Sequence, residues 1–263
     1  MRSHRERNDR RSSPEAAPRR RPQRGGGGDS AAWIWGIHAV EAALRNPDRE
    51  VRRLMATPDR LPGLAGLRPG LEALSLSAAE IAQKLPPGAA HQGAALSAPA
   101  LEGVALEDLA SPAEGCLVLL DQVTDPQNVG AILRSAAAFG ARGLVLQDRH
   151  APPLGGALAK AAAGALDRVP VARVVNLSRA LDRLSDLGWV VVGLDGEAEV
   201  PLAEVLDGRP TVIVLGSEGE GMRRLVAEHC DITARIPMPG GFESLNVSAA
   251  AAVALYEASR HRA

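Results

Sequence analysis

From residue 115 onward, short unbroken apolar runs alternate with segments whose apolar residues recur three and four positions apart. The runs at 116–120, 143–146, 169–174, 189–194, 211–215 and 232–236 read as strands buried on both faces. Between them, Asp125-Pro126 supplies a cap and a first-turn proline for a helix that runs to Phe139 and stops at Gly140. Leu177, Leu181, Leu184 and Leu187 mark a second helix, and others are predicted over 158–166, from near Met222, and over 247–261. Such alternation predicts an α/β fold, a parallel sheet with helices on both faces. Ahead of it the pattern is smaller in scale: a helix over 38–44, strands at 51–56, 71–76 and 94–97, and an ambiguous Pro/Gly-punctuated stretch at 61–70. Ser77-Ala78-Ala79-Glu80 forms a capping box that opens a helix to Leu85.

The domain organisation follows from where these patterns change. Residues 1–30 lack apolar periodicity and end in Gly25-Gly26-Gly27-Gly28, which reads as a disordered tail. Residues 31–97 form a small α/β domain, 98–114 a Pro/Glu/Ala-rich linker with a short helix at 106–109, and 115–263 the larger domain. His91 and Gln92, polar at a strand start, are open to two readings, turn residues or RNA contacts.

Composition narrows the class. The chain is 46% hydrophobic but only 2% aromatic, so its core is built from Ala, Leu, Val and Ile. Cys116 and Cys230 are far apart and lack CxxC spacing, which argues against a zinc site or disulfide framework and fits a reducing cytosol. No apolar run approaches a membrane span, and the Arg-rich start has no signal-type apolar segment after it, so a soluble cytoplasmic protein is expected. The net charge is −1, yet residues 1–30 hold nine Arg against four acidic residues, leaving a +5 tail on a −6 body. Such a tail can hold a polyanion loosely, or be no more than a solvated extension. The acidic body confines any nucleic-acid site to a local patch.

Chemistry concentrates in three loops at strand C-termini, where open α/β sheets place their ligands. The first, 121–128, leads into a helix that is apolar apart from Arg134 and Ser135. The second, Gly216-Ser217-Glu218-Gly219-Glu220-Gly221-Met222, has glycines that let backbone approach a ligand. It is not the GxGxxG fingerprint, and Glu218 would repel a pyrophosphate. A ligand with a positive or neutral face suits it better. The third, 236–248, reads IPMPGGFESLNVS, with Ser244 and Asn246 where a helix cap would stand.

Taken together, N–x–G–x3–R, then G–x–E–G–x–G–M, then P–x6–S–L–N–V–S resemble the SpoU (TrmH) family of RNA ribose 2′-O-methyltransferases. The likeness runs from about Trp33 to His261. WGIHAVEAALRN and HQGAALS resemble the front, RNA-binding domain of the RlmB-like branch. The resemblance implies a C-terminal trefoil knot of the SPOUT class. It implies S-adenosylmethionine held by backbone at Gly216, Ile236 and Leu245, with no metal. It also implies a catalytic set of Asn128, Arg134, Glu218, Ser244 and Asn246. In this reading Asn128 and Glu218 hold Arg134 and the substrate, and Ser244 and Asn246 order the knot loop. Arg134, a guanidinium that stays protonated, orients phosphate and stabilises developing alkoxide rather than acting as base. Implied partners are RNA, first 23S rRNA at a guanosine and second tRNA, and another copy of the chain in a homodimer. Two rival readings are a non-catalytic RNA-binding assembly factor that keeps the fold and, against the missing GxGxxG, a nucleotide-dependent oxidoreductase.

Overall fold

The computed structural model describes residues 33–240 and 244–261; the Arg-rich tail over 1–30 and Gly241 of the third loop lie outside the described residues. The chain begins with β1 (Trp33–Trp35), α1 (Ile37–Arg45), β2 (Arg53–Ala56), α2 (Leu61–Ala65), β3 (Ala73–Ser75), α3 (Ala78–Ala82) and β4 (Ala94–Ser97). These give a four-stranded sheet of order β1-β4-β2-β3, with β4 antiparallel to both neighbours and β2 parallel to β3. The capping box forms: Ser77 Oγ accepts from Glu80 N at 3.3 Å while Ser77 N donates to Glu80 Oε2 at 2.8 Å. The strand β1 has no counterpart in the sequence reading, because its three residues are ordered by pairing with β4 some sixty residues away.

The segment read as a linker is laid along the second sheet. Leu101 N donates to Leu154 O at 3.0 Å and Val104 N to Val171 O at 2.9 Å. Within it α4 (Leu106–Ala110) buries Leu109 and Ala110. There follow β5 (Cys116–Leu120), α5 (Pro126–Ala138), β6 (Gly143–Gln147), α6 (Gly156–Ala162), β7 (Val171–Val174), α7 (Leu177–Asp186) and β8 (Val190–Leu194). The chain ends with α8 (Leu202–Val205), β9 (Thr211–Leu215), α9 (Arg224–Ala227), β10 (Ile232–Ala234) and α10 (Val247–Ser259). The second sheet is wholly parallel, in the order β10-β8-β9-β5-β6-β7. Side chains alternate across it. Val118, Leu120, Leu144, Leu146, Ile213 and Leu215 pack with α5, α6, α8 and α10, and Leu117, Leu119, Val145, Val212 and Val214 with α4, α7 and α9. Both faces are thereby covered, as the unbroken apolar runs require.

The helix predicted over 158–166 is broken. Ala163 (φ 49°) and Gly164 (φ 92°) are left-handed, and a short 3₁₀ turn, Ala165–Asp167, follows. The break admits α1: a Cβ on Gly164 would lie 2.9 Å from Ala42 Cβ and 3.0 Å from His38 O. Two polar ties join the sheets at this seam. Lys160 Nζ donates to Gln92 Oε1 at 2.7 Å, and the same oxygen accepts from Ile37 N at 3.3 Å. His91 Nδ1 accepts from Gly93 N at 3.1 Å, so both residues of this turn have structural work. The second tie is the ion pair of Arg49 with Asp167, with side chains 1% and 2% exposed.

Helix α5 crosses α6 at Gly130, where a Cβ would sit 2.4 Å from Ala161 Cβ and 2.8 Å from Ala162 N. In an exposed helix Gly→Ala stabilises by up to about 1 kcal/mol. Here Gly130→Ala is expected to destabilise by about 1–3 kcal/mol, because the contact is with backbone and cannot be relieved by a rotamer. Urea denaturation decides the sign.

Candidate active site

The second and third predicted loops meet at the C-terminal ends of β8, β9 and β10. They enclose a cleft of about 630 Å³ lined by Gly216, Glu218, Ile236, Ser244, Leu245 and Asn246, with residues 194–197 opposite. The glycine loop folds back on itself: Ser217 N donates to Gly221 O at 3.1 Å and Gly221 N to Ser217 O at 3.0 Å. A Cβ on Gly216 would lie 2.0 Å from the Gly221 carbonyl carbon, so no side chain fits there. Gly219 and Gly221 have φ of 86° and 67°, which suits glycine. Asp195, Glu197, Glu218 and Glu220 line the cleft, and no Lys, Arg or His does among the described residues. An anion is disfavoured there and a cation favoured.

One wall is a hydrogen-bonded cluster of three residues far apart in sequence. Asp125 caps α5, its Oδ1 accepting from Gln127 N at 3.2 Å and Oδ2 from Asn128 N at 3.3 Å, and so fixes Asn128 in the first turn. Asn128 Nδ2 donates to Glu218 Oε1 at 3.0 Å. Asn246 Nδ2 donates to the same Glu218 oxygen at 2.5 Å and to Asn128 Oδ1 at 3.1 Å. Asn246 also caps α10, with Oδ1 accepting from Ser248 N at 2.9 Å and Ser248 Oγ at 2.6 Å. Its amide is thus divided, oxygen to the helix and nitrogen to the cluster. Ser244, placed by the sequence at the same cap, is not the cap; it lines the cleft and makes no hydrogen bond among the described residues.

Arg134 stands elsewhere. It is six residues beyond Asn128 on α5, roughly 240° around the helix. It lines a second cleft, of about 750 Å³, with His38, Arg45, Arg168 and Ser248. It makes no hydrogen bond or ion pair with Asn128 or Glu218; those two hold Asn246 instead. The clefts connect through α10, since Ser248 lines the cleft of Arg134 and bonds to Asn246.

Sequence reasoning passed over one further pair. Asp121 is fully buried, and its carboxylate accepts from Arg223 N and Nε, each at 2.8 Å, while Arg223 Nη2 donates to Gln147 Oε1 at 2.9 Å. This ties the end of the glycine loop to the ends of β5 and β6. The available signal was an acidic residue directly after a wholly apolar strand.

Comparison with known proteins agrees with this geometry. The SpoU rRNA Methylase family matches residues 115–256. The chain is 40% identical over 246 residues to the 23S rRNA (guanosine-2′-O-)-methyltransferase RlmB of Pseudomonas syringae pv. tomato, covering 87% of this chain and 95% of that protein. RlmB of Xylella fastidiosa is 41% identical over 242 residues, covering 88% and 96%. Among solved structures, the SpoU methyltransferase AviRb from Streptomyces viridochromogenes in complex with the cofactor AdoMet superposes with a TM-score of 0.75 at 25% identity, over 88% of this chain and 89% of that chain. With a family match over more than half of its length and relatives about 40% identical along nearly all of it, the chain belongs to the SpoU rRNA methylase family.

Proposed function

We propose that the protein is a cytoplasmic enzyme that transfers the methyl group of S-adenosylmethionine to a ribose 2′-hydroxyl of RNA, at a guanosine of 23S rRNA. The observation that carries this reading is the Asn128–Glu218–Asn246 cluster on the wall of a cleft lined by glycine backbone and carboxylates. The named relatives support the substrate, because the match to them includes the front sheet as well as the family domain.

The cleft fits the cofactor by its chemistry. The sulfonium and amino groups are cations, and the carboxylates of Asp195, Glu197, Glu218 and Glu220 face the same space. Gly216, Ile236 and Leu245 offer strand-end backbone to the remaining polar edges. Bound there, the cofactor supplies an electrophilic methyl group. The knot implied by the family would be made where the chain through Ile236 and Asn246 passes the loops at 194–197 and 216–221.

The chain's own residues bind and orient the RNA. Glu218 and Asn128 hold Asn246, which fixes the start of α10 against the cleft. The Ser244 hydroxyl donates to the incoming nucleotide. Arg134, in its separate cleft, holds a phosphate of the RNA there and, where a second copy of the chain brings it to a cofactor cleft, stabilises charge developing on the ribose oxygen. We assign residues 31–97 to RNA binding and 115–263 to catalysis; α1 presents His38 and Arg45 to the cleft of Arg134. A homodimer through α5 and α10, where Val253 and Tyr256 are 43% and 54% exposed, would let the partner complete each site. Light scattering at twice the chain mass supports it, and a monomer removes it.

Two measurements test the whole reading. Calorimetry should show S-adenosylmethionine binding; none would leave an RNA-binding assembly factor. A ribose-methylation map of total RNA, with and without the protein, should gain a guanosine in 23S rRNA, whereas a gain in tRNA would move the substrate. Arg134→Lys should lower kcat/KM about 10- to 100-fold with cofactor affinity unchanged, since the ammonium lacks the guanidinium fork. Near-full activity across pH would remove the role given to the guanidinium.

A further inference from the structure

Beside the cofactor cleft lies another hollow, of about 730 Å³, at the ends of β5, β6 and β9. Ser217 and Glu220 line both, so the two share a wall. Leu120, Val123, Leu146 and Ala151 give the hollow an apolar floor. Its polar lining includes Gln122, Thr124, Arg149, His150 and Glu220, none of whose side chains makes a hydrogen bond or ion pair among the described residues. Arg223 also lines it, but its charge is taken by buried Asp121 at 2.7 Å. Gln122 (φ 59°) and His150 (φ 73°), two of the few left-handed non-glycine residues described, both stand here. Such backbone persists only where the surroundings enforce it, and it clusters at ligand sites.

The charges decide what fits. With Arg223 neutralised, one guanidinium, Arg149, remains with one carboxylate, Glu220. A phosphate would gain the first and be repelled by the second. A flat group with apolar faces and an edge bearing both acceptors and donors satisfies floor and rim together. Guanine has that edge: O6 and N7 accept from an arginine fork, and N1–H and the exocyclic amine donate to a carboxylate. Adenine turns an amine toward the guanidinium and has no N1–H for the carboxylate.

We propose that this hollow is the subsite for the base of the target nucleotide, and that Arg149 and Glu220, with Gln122, select guanine in it. The inference rests on the ribose-methyltransferase reading above. A base drawn out of its stack into this hollow leaves its own ribose at the shared wall, next to the methyl donor.

The test uses the full chain, a 23S rRNA transcript, and three readouts: cofactor Kd by calorimetry, kcat/KM, and the identity of the ribose-methylated nucleosides by mass spectrometry. Arg149 is exposed, so its variants will fold. Arg149→Ala is expected to lower kcat/KM on guanosine about 10- to 100-fold, the discrimination carried by a good bidentate contact. Methylated A, C or U should rise relative to G, with cofactor Kd unchanged. Arg149→Lys should fail to restore the rate, because the ammonium cannot make the fork. Gln122→Gly, which relaxes the left-handed backbone, should shift the product in the same direction by less. Full rescue by lysine would mean a phosphate contact and overturn the proposal. So would a raised cofactor Kd, or an unchanged product profile. Wild-type protein that methylates no ribose would instead overturn the parent reading, and it would do so before any variant is made.

Discussion

Asp167→Ala will destabilise the protein by about 3–5 kcal/mol, the usual consequence of leaving one member of a buried ion pair alone. Arg49 Nη1 donates to Asp167 Oδ1 at 3.3 Å and Nη2 to Pro99 O at 3.0 Å, while its buried Nε has no partner. Asn46 Nδ2 is a second donor to Asp167 Oδ1, also at 3.3 Å. One contact therefore joins the end of α1, the segment after β4 and the 3₁₀ turn after α6. Burial pushes the Asp167 carboxyl above its ordinary value and pulls the Arg49 guanidinium below its own, in each case outweighing the attraction between them. The pair is thus a poor source of net stability and a good source of orientation, since only one docking of the front sheet satisfies both charges. The double variant Arg49→Met/Asp167→Leu should accordingly recover most of the loss. The sign with pH follows from the raised carboxyl. Its contribution is present in full below the ordinary carboxylate range and is lost as pH rises through the raised value, a slope that Asp167→Ala should lack. Denaturation curves for the three proteins at two pH values check this. A single-variant loss under about 1 kcal/mol would mean that Arg49 finds water or another acceptor.

What could be read from the sequence divides by distance along the chain. The strands at 94–97, 116–120 and 211–215 have the predicted ends, because Gly93, Gly115, Asp121, Pro210 and Gly216 punctuate the apolar runs. The caps at Ser77 and Asp125 are likewise local chemistry. The break after α6 was not legible, because Ala163 looks like any helix-forming alanine and its left-handed turn answers to α1 packed above Gly164. Arg49 and Asp167 lie 118 residues apart, and no periodicity links them. The three functional loops were legible as motifs, but their mutual pairing was not. Asn128, Glu218 and Asn246 follow β5, β9 and β10 in the chain, and the parallel strand order β10-β8-β9-β5 brings those segments to one edge. Hence the motif reading placed Asn128 and Glu218 on Arg134, while the structure places them on Asn246.

Glu218→Ala should lower methyl transfer about 100-fold while leaving the fold nearly intact. Glu218 is exposed and outside the core, so its loss opens no cavity, and the donors it leaves behind can turn to water, which keeps the cost in stability small. Its effect on geometry is larger. A single oxygen, Oε1, accepts from Asn128 Nδ2, Asn246 Nδ2 and Val247 N, the last at 3.4 Å, and so ties α5, the glycine loop and the first turn of α10 together. Without it Asn246 still caps α10 through Ser248 and Ala249, which is why the helix should survive. What is lost is the register of that helix start against the cleft, and a misplacement of about 1 Å in a reacting geometry is enough for a 100-fold loss. Glu218→Gln separates tie from charge. The amide oxygen can still accept from both asparagines, so any activity it loses beyond wild type measures the carboxylate's attraction for a cationic cofactor, and should appear as a raised Kd. Thermal melts, calorimetry and kcat/KM on the two variants resolve these contributions. If Glu218→Ala kept wild-type turnover, the cluster would be no more than a surface cap for α10, and the site would have to be sought in the cleft of Arg134.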